Sequence, residues 1–389
     1  MLRIVHTADV HLGARHDDLG EQAAAQRERQ FAAFKATIEL ALTEKVDLVL
    51  IAGDLFDSNV QPRRSVERVA AELGRLVGAR IRTVIIPGTH DVYDRASIYR
   101  AYDLKAMADS TPADDLVTVL TPDTPQVHLA AIKTVVHGRV FATKRAPESP
   151  LIGLDVANDP PEATWHVGLI HGSIAIPGKT DRDDVVVTGQ EIARSALDYL
   201  AMGHWHSFQE GRAGPVTYAY PGAPEAVAVD QDRAGKALLV TLDETPDGRT
   251  VTIDPRQVGR TRFERVQVDA ATIVSQPVLV ASLAKRGDPD LVLHARIVGV
   301  RPDELDLDTD EIESTLAAAF LKVRVRDAST PPLTDGVLPS PDTVAGSFIR
   351  TLEAEIADLE AAGKADEAAD CRDALRLGRL LLAGHEVSL

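Results

Sequence analysis

Short apolar runs alternate with longer stretches of helical period over the first hundred residues. Residues 2–5 read as a strand. Residues 27–43 read as a helix, because Phe31, Phe34, Ile38 and Leu42 fall roughly on one face. Residues 47–52 (DLVLIA) read as a buried strand, 65–77 as a helix and 82–86 (RTVII) as another buried strand. This rhythm predicts a core sheet covered by helices. Beyond residue 101 the helical period thins. Residues 116–120, 126–131, 134–140, 165–170, 197–202, 216–220 and 237–242 read as strands, which predicts a second sheet packed on the first.

Near 258–265 the character changes. A helix at 277–285, a strand at 291–298, a helix at 309–319 and a strand at 321–325 make a unit the size of a minimal α+β domain. Ser329-Thr330-Pro331-Pro332-Leu333 and Pro339-Ser340-Pro341 read as linker. In the tail, Phe348, Ile349, Leu352, Ile356 and Leu359 recur at helical spacing. Ala361-Ala362-Gly363-Lys364 reads as a turn, and 367–382 as a second helix ending in Leu380-Leu381-Leu382. Such a hairpin has little to bury against itself, so it is expected to dock on its own core or on a partner helix. The expected organisation is 1–265, a first domain; 266–328, a small second one; 329–345, a linker; and 346–389, a helical hairpin. No internal repeat is visible.

With 44% hydrophobic and 26% charged residues, the 389-residue chain is neither disordered nor a disulfide mini-scaffold. Its length suits two or three domains. Lys+Arg is 42 against 59 Asp+Glu, a formal net charge of −17, so a phosphate-bearing ligand must be held by a local feature and not by the overall field. The single cysteine, Cys371, excludes an internal disulfide and a thiolate zinc site and fits a reducing compartment. No signal peptide and no run of roughly 20 apolar residues is visible, so a soluble cytoplasmic protein with no membrane contact is expected.

Short polar segments follow several of the apolar runs. Asp9-Val10-His11 puts two donors on one side of an extended segment. Gly53-Asp54-Leu55-Phe56-Asp57 follows DLVLIA, and Pro87-Gly88-Thr89-His90-Asp91 follows RTVII. His171-Gly172 and Gly203-His204-Trp205-His206 follow two further runs. Taken singly, each suits a helix cap or a satisfied histidine. Together, five of the twelve histidines stand at strand ends beside Asp and Gly, which points to a metal centre. Carboxylate and imidazole donors without thiolate suit Mn²⁺, Fe²⁺ or Zn²⁺ better than Ca²⁺. Two such ions, about 3.5–4 Å apart, can activate a water and clamp a phosphoryl group.

The ordered set DxH, GDxxD, GTHD, H and GHxH resembles the calcineurin-like metallophosphoesterase superfamily. His6-Thr7-Ala8-Asp9-Val10-His11-Leu12-Gly13, Gln26-Arg27-Glu28 with Phe31, and Ala52-Gly53-Asp54-Leu55-Phe56-Asp57 resemble the SbcD-type double-strand-break repair nuclease subunits in particular. The resemblance covers about residues 1–225. It implies an α/β fold: a four-layer α-β-β-α sandwich with a small α+β cap domain that binds DNA and a C-terminal helical hairpin that docks a partner. It implies that Asp9, His11 and His206 hold one ion, that Asp54 bridges to a second, and that His171 and His204 hold that second ion. His90 would act at the scissile phosphate, with Asp91 orienting it. Thr89 replaces the usual Asn as a poorer ligand of the second ion. Asp57, where some relatives carry His, reads as a helix cap or outer-shell group and stays outside the ligand set. The implied activity is a DNA exonuclease and endonuclease with two divalent ions, Mn²⁺ foremost and Fe²⁺, Zn²⁺ or Mg²⁺ as alternatives. The implied partners are DNA and an SbcC-type SMC-like coiled-coil ATPase, with a homodimer left open. Arg256, Arg260, Arg262 and Arg265 form the clearest basic stretch for a DNA backbone, or a solvated face. A phosphodiesterase for a small nucleotide and a non-catalytic scaffold remain the alternative readings.

Overall fold

Runs of Leu, Ile and Val too short for helices become the buried strands of two sheets, with amphipathic helices laid on the outside. The computed structural model describes residues 1–111, 114–146, 148–180, 185–228, 231, 233–246, 248–302, 305–329 and 339–382. They divide into two units, Met1–Arg262 and Phe263–Leu389.

In the first unit the strands are β1 (Leu2–Thr7), β2 (Leu48–Ala52), β3 (Arg82–Ile86), β4 (Val117–Val119), β5 (Gln126–Leu129), β6 (Thr134–His137) and β7 (Trp165–His171). There follow β8 (Ser173–Ile174), β9 (Val186–Val187), β10 (Tyr199–Gly203), β11 (Gln209–Ala213), β12 (Val216–Tyr220), β13 (Lys236–Thr245) and β14 (Gly248–Gln257). The helices are α1 (Ala23–Glu44), α2 (Arg63–Gly78), α3 (Ile98–Ala101), α4 (Leu104–Met107) and α5 (Gly189–Arg194). One sheet has the order β14-β13-β1-β2-β3-β4, the other β11-β12-β10-β7-β6-β5. Strands β1 to β4 run parallel, as do β6, β7, β10 and β12.

Alternation along each strand sorts the core into layers. Ile4, Leu48, Leu50 and Val84 meet Val136, Val167, Leu169 and Ala201 between the sheets. Val5, Val49, Ile51 and Ile85 face outward onto Phe34 and Ile38 of α1 and Val66 and Leu73 of α2. On the far side Ile170, Leu200 and Met202 pack with Ile192 of α5. The result is the expected helix–sheet–sheet–helix order, with a thin last layer because α5 is only six residues long. The two-residue strands β8 and β9 escaped the sequence reading, as did β11 and β14. Strands β11 and β14 both pair at a sheet edge, where polar residues are tolerated on the open face.

In the second unit β15 (Arg262–Asp269), β16 (Asp288–Val298) and β17 (Phe320–Asp327) form a three-stranded sheet. Helices α6 (Gln276–Ala284) and α7 (Thr309–Leu316) cover it through Leu283, Ile312 and Leu316, packed on Leu293, Ile297 and Val325. The tail forms α8 (Val344–Ala361), capped by the Thr343 side chain, and α9 (Ala365–Leu382). Gly378 leaves room for the Phe348 ring, and Ile349, Ala368 and Leu380 are buried. The expected linker falls largely at 330–338, outside the described residues. Arg256 lies in β14 and pairs with Asp254 at 2.7 Å and Glu44 at 3.3 Å, so its charge is already met.

Candidate metal centre

Each polar segment leaves the carboxyl end of a parallel strand, β1, β2 and β3 in one sheet and β7 and β10 in the other, so both sheets present loops at one edge. The loops after β1 and β2 stay laced together. Asp9 N–H donates to the Gly53 carbonyl (3.1 Å), His11 N–H to Asp54 (2.9 Å), and Asp57 N–H back to Leu12 (3.1 Å). In the second sheet Gly203 stands opposite His171 in register. Two glycines permit the close approach. Gly53 has φ +85°, and a Cβ there would run into the His171 ring; a Cβ on Gly203 would run into the Ala52 carbonyl.

The carboxylates of Asp9 and Asp54 lie at the centre and are buried. Asp9 accepts from the His204 backbone N–H at 3.0 and 3.1 Å. Asp54 Oδ1 accepts from the His90 N–H at 2.7 Å, and its Oδ2 lies 3.2 Å from His171 Nε2. Thr89 donates its hydroxyl to the same Oδ2 at 3.4 Å. His11 Nε2 faces His206 Nε2 at 3.1 Å. Donor atoms of Asp9, His11 and His206 all lie within 4.8 Å of one another, as do those of Asp9, Asp54 and His171, and of His11, Asp57 and His90. The His204 ring stands 5.2 Å, centre to centre, from that of His171.

Burial raises the Asp9 carboxyl to about 6, against the opposing charge of His171. Burial disfavours a charged His171, yet the Asp54 carboxylate beside it lifts the imidazole to about 10. The same ring, again against burial, holds Asp54 below the usual carboxylate range. Burial pulls His206 down to about 3, with His11 adding repulsion.

Three observations fit a resident cation. His171 Nδ1 donates to the Ala52 carbonyl at 2.9 Å, which turns the buried Nε2 into the cluster, beside Asp54 Oδ2 but not aligned with it as a hydrogen bond. Asp9, His11, Asp54 and His204 all carry positive φ (54°, 49°, 51° and 102°), a conformation that costs L residues energy and gathers at functional sites. The donors are imidazole and carboxylate, a set suited to divalent transition metals.

One role implied by resemblance needs correction. Asp91 does not hold the His90 ring. Its buried carboxylate accepts from Gly88 N–H (2.7 Å), Phe56 N–H (3.1 Å) and the Tyr99 hydroxyl (2.6 Å), so it fixes the loop and not the imidazole. His90 Nδ1 is instead 3.0 Å from the Asp57 carbonyl. Asp57, read as a helix cap or outer-shell group, has Oδ1 3.3 Å from His11 Nδ1, the ring nitrogen that does not face His206. Its place in GDxxD was the available signal. Gln231, whose amide nitrogen is 2.5 Å from His206 Nδ1, had none, being 25 residues away.

A model of the calcineurin-like phosphoesterases matches residues 2–208. The chain is 29% identical over 274 residues to a DNA double-strand break repair protein Mre11 of Aeropyrum pernix, covering 69% of this chain and 64% of that one. It is 24% identical over 359 residues to the protein of the same name from Halobacterium salinarum, covering 90% and 86%. It is 26% identical over 242 residues to the uncharacterized metallophosphoesterase YhaO of Bacillus subtilis, covering 58% and 53%. The chain thus spans less than two thirds of the Aeropyrum and Bacillus proteins. Among solved structures, TT1561 of Thermus thermophilus aligns with 65% of this chain and 98% of its own at 14% identity and a TM-score of 0.38. With more than half its length inside the family's boundaries, the chain belongs to the calcineurin-like phosphoesterases.

Proposed function

We propose that this phosphoester hydrolase is a DNA nuclease of the SbcD type, exonuclease and endonuclease, acting in double-strand-break repair with an SMC-like coiled-coil ATPase. The observation that carries the reading is the convergence of Asp9, His11, Asp54, His171 and His206 beside one half-exposed imidazole, that of His90 (46% of the side chain). The printed names of the archaeal relatives supply the DNA-repair context.

Asp9, His11 and His206 would hold one divalent ion, Asp54 would be shared, and His171 with His204 would complete the second, with Thr89 at its margin; Asp57 stands behind His11. When bound, the ions supply Lewis-acid charge for phosphoryl oxygens and lower the pKa of a water nucleophile. The chain's own groups do the rest. Ala52 fixes His171 in one tautomer. The Asp57 carbonyl occupies His90 Nδ1, leaving Nε2 as the atom that gives a proton to, or shields the charge of, the departing oxygen. The His11 ring lies 4.6 Å from that of His90 and walls the imidazole in on one side.

Digestion of duplex and single-stranded DNA, set beside hydrolysis of bis-p-nitrophenyl phosphate in Mn²⁺, tests the reading. DNA cleavage is expected, falling about 10²–10⁴-fold in His90→Asn with bound metal unchanged. Hydrolysis of the small diester alone would favour the small-nucleotide phosphodiesterase instead.

A further inference from the structure

A second set of metal-type donors stands on the outer face of the second sheet, and none of its residues belongs to the centre described above. His137 ends β6 and His166 is the second residue of β7. The register Val135↔His166 and His137↔Gly168 puts both side chains on the same face, two rows apart. That face is opposite to the one through which Val136 and Val167 enter the inter-sheet core. Asp159, just after the 3₁₀ turn Val156–Asn158, brings a carboxylate between them. Its Oδ2 is 2.8 Å from His137 Nε2 and 2.6 Å from His166 Nδ1.

Two imidazoles crowd one oxygen while the other is left without a partner. Asp159 is only 2% exposed at its side chain, and its Oδ1 is buried with no hydrogen bond. A buried polar atom left unsatisfied is uncommon in a folded protein, and an ion bound in place accounts for it. On the same face His128, opposite Val135 in register, has a buried Nε2 that also lacks a hydrogen bond; Glu162 is 3.9 Å from it. His137 also lines a cavity of about 730 Å³ with Arg139, Phe141, Asp155 and Asn158.

We propose that His137, Asp159 and His166 bind one divalent transition-metal ion, Zn²⁺ by donor type, at a site separate from the Asp9–Asp54 centre. Two imidazoles and one carboxylate make a three-ligand set with a fourth position open to water. Donors at roughly 2.1 Å from a tetrahedral ion stand about 3.4 Å apart, so the two imidazoles need withdraw from Asp159 by only about 0.6 and 0.8 Å. On binding, each imidazole takes the tautomer with its proton on the other ring nitrogen, Nδ1 of His137 and Nε2 of His166, and the carboxylate is then free to use either oxygen.

Zn²⁺ titration of the full chain, read as equivalents retained after desalting, is the test. The wild-type protein is expected to bind three equivalents. His166→Gln and Asp159→Asn are each expected to bind one fewer, with Mn²⁺-dependent hydrolysis of bis-p-nitrophenyl phosphate unchanged. This outcome does not depend on whether DNA is the substrate. No equivalent retained by the wild type, or an undiminished count in either folded variant, overturns the proposal, however many ions the Asp9–Asp54 centre keeps. The wild-type count needs no variant to fold.

Discussion

Thr89 meets Asp54 only through a hydroxyl hydrogen bond of 3.4 Å. A hydroxyl is a weaker neutral ligand for a cation than an amide carbonyl, and it is one atom shorter. Thr89→Asn is therefore expected to tighten the second Mn²⁺ about tenfold, or ~1.4 kcal/mol; calorimetric titration with no gain would contradict this. A different residue governs acid stability. His6 is wholly buried with Nδ1 2.8 Å from the Tyr199 hydroxyl, and burial lowers its pKa from 6.5 to about 3. Below pH 6.5 the unfolded chain takes up a proton that the folded one refuses. Stability from this group is thus complete above 6.5 and is lost as the pH falls toward about 3. Urea unfolding in EDTA should show His6→Gln losing about 1–2 kcal/mol less than the wild type between pH 6.5 and 5. An equal acid limb in both proteins would rule this out.

At the scale of elements, the strands are ordinary and the loops at their ends are not. Asp9, His11 and Asp54 sit in left-handed conformations that cost roughly 1–3 kcal/mol each. The lacing of the β1 and β2 loops by backbone hydrogen bonds holds them there. Gly53 is the position where this arrangement tolerates least change, because both its φ and the His171 ring oppose a side chain. Gly53→Ala is expected to destabilise the first unit by about 1–3 kcal/mol and to weaken metal binding at least tenfold. Thermal unfolding with and without Mn²⁺ measures both, and a variant that binds Mn²⁺ like the wild type would show that the loop adapts.

For the whole molecule, the two units have separate cores, one built on Val49, Ile51 and Phe34 and one on Leu293, Ile297 and Val325. The proposed centre lies wholly within Met1–Arg262. Mn²⁺ at about a hundred times its dissociation constant adds ~2.7 kcal/mol to the state that binds it. Calorimetry of the full chain should therefore show two transitions, with EDTA lowering only that of the first unit. A single transition that moves as one with metal would mean the units unfold together. No helix among the described residues is long and apolar enough to cross a membrane.

Sequence alone determined the α/β class, the buried strands and the donor types that follow them, because apolar period and residue chemistry are local properties. It missed β11 and β14, whose polar exposed faces carry no strand period strong enough to read, and also β15, where it saw only a change of character near 258–265. Only the tertiary structure decided which donors meet. Asp57 reaches His11, Gln231 reaches His206 and Tyr99 reaches Asp91 because strands distant in the chain end at one edge. It also moved Asp91 from the imidazole to the loop. A side chain's partner depends on where the chain crosses itself, and no local spacing encodes that crossing.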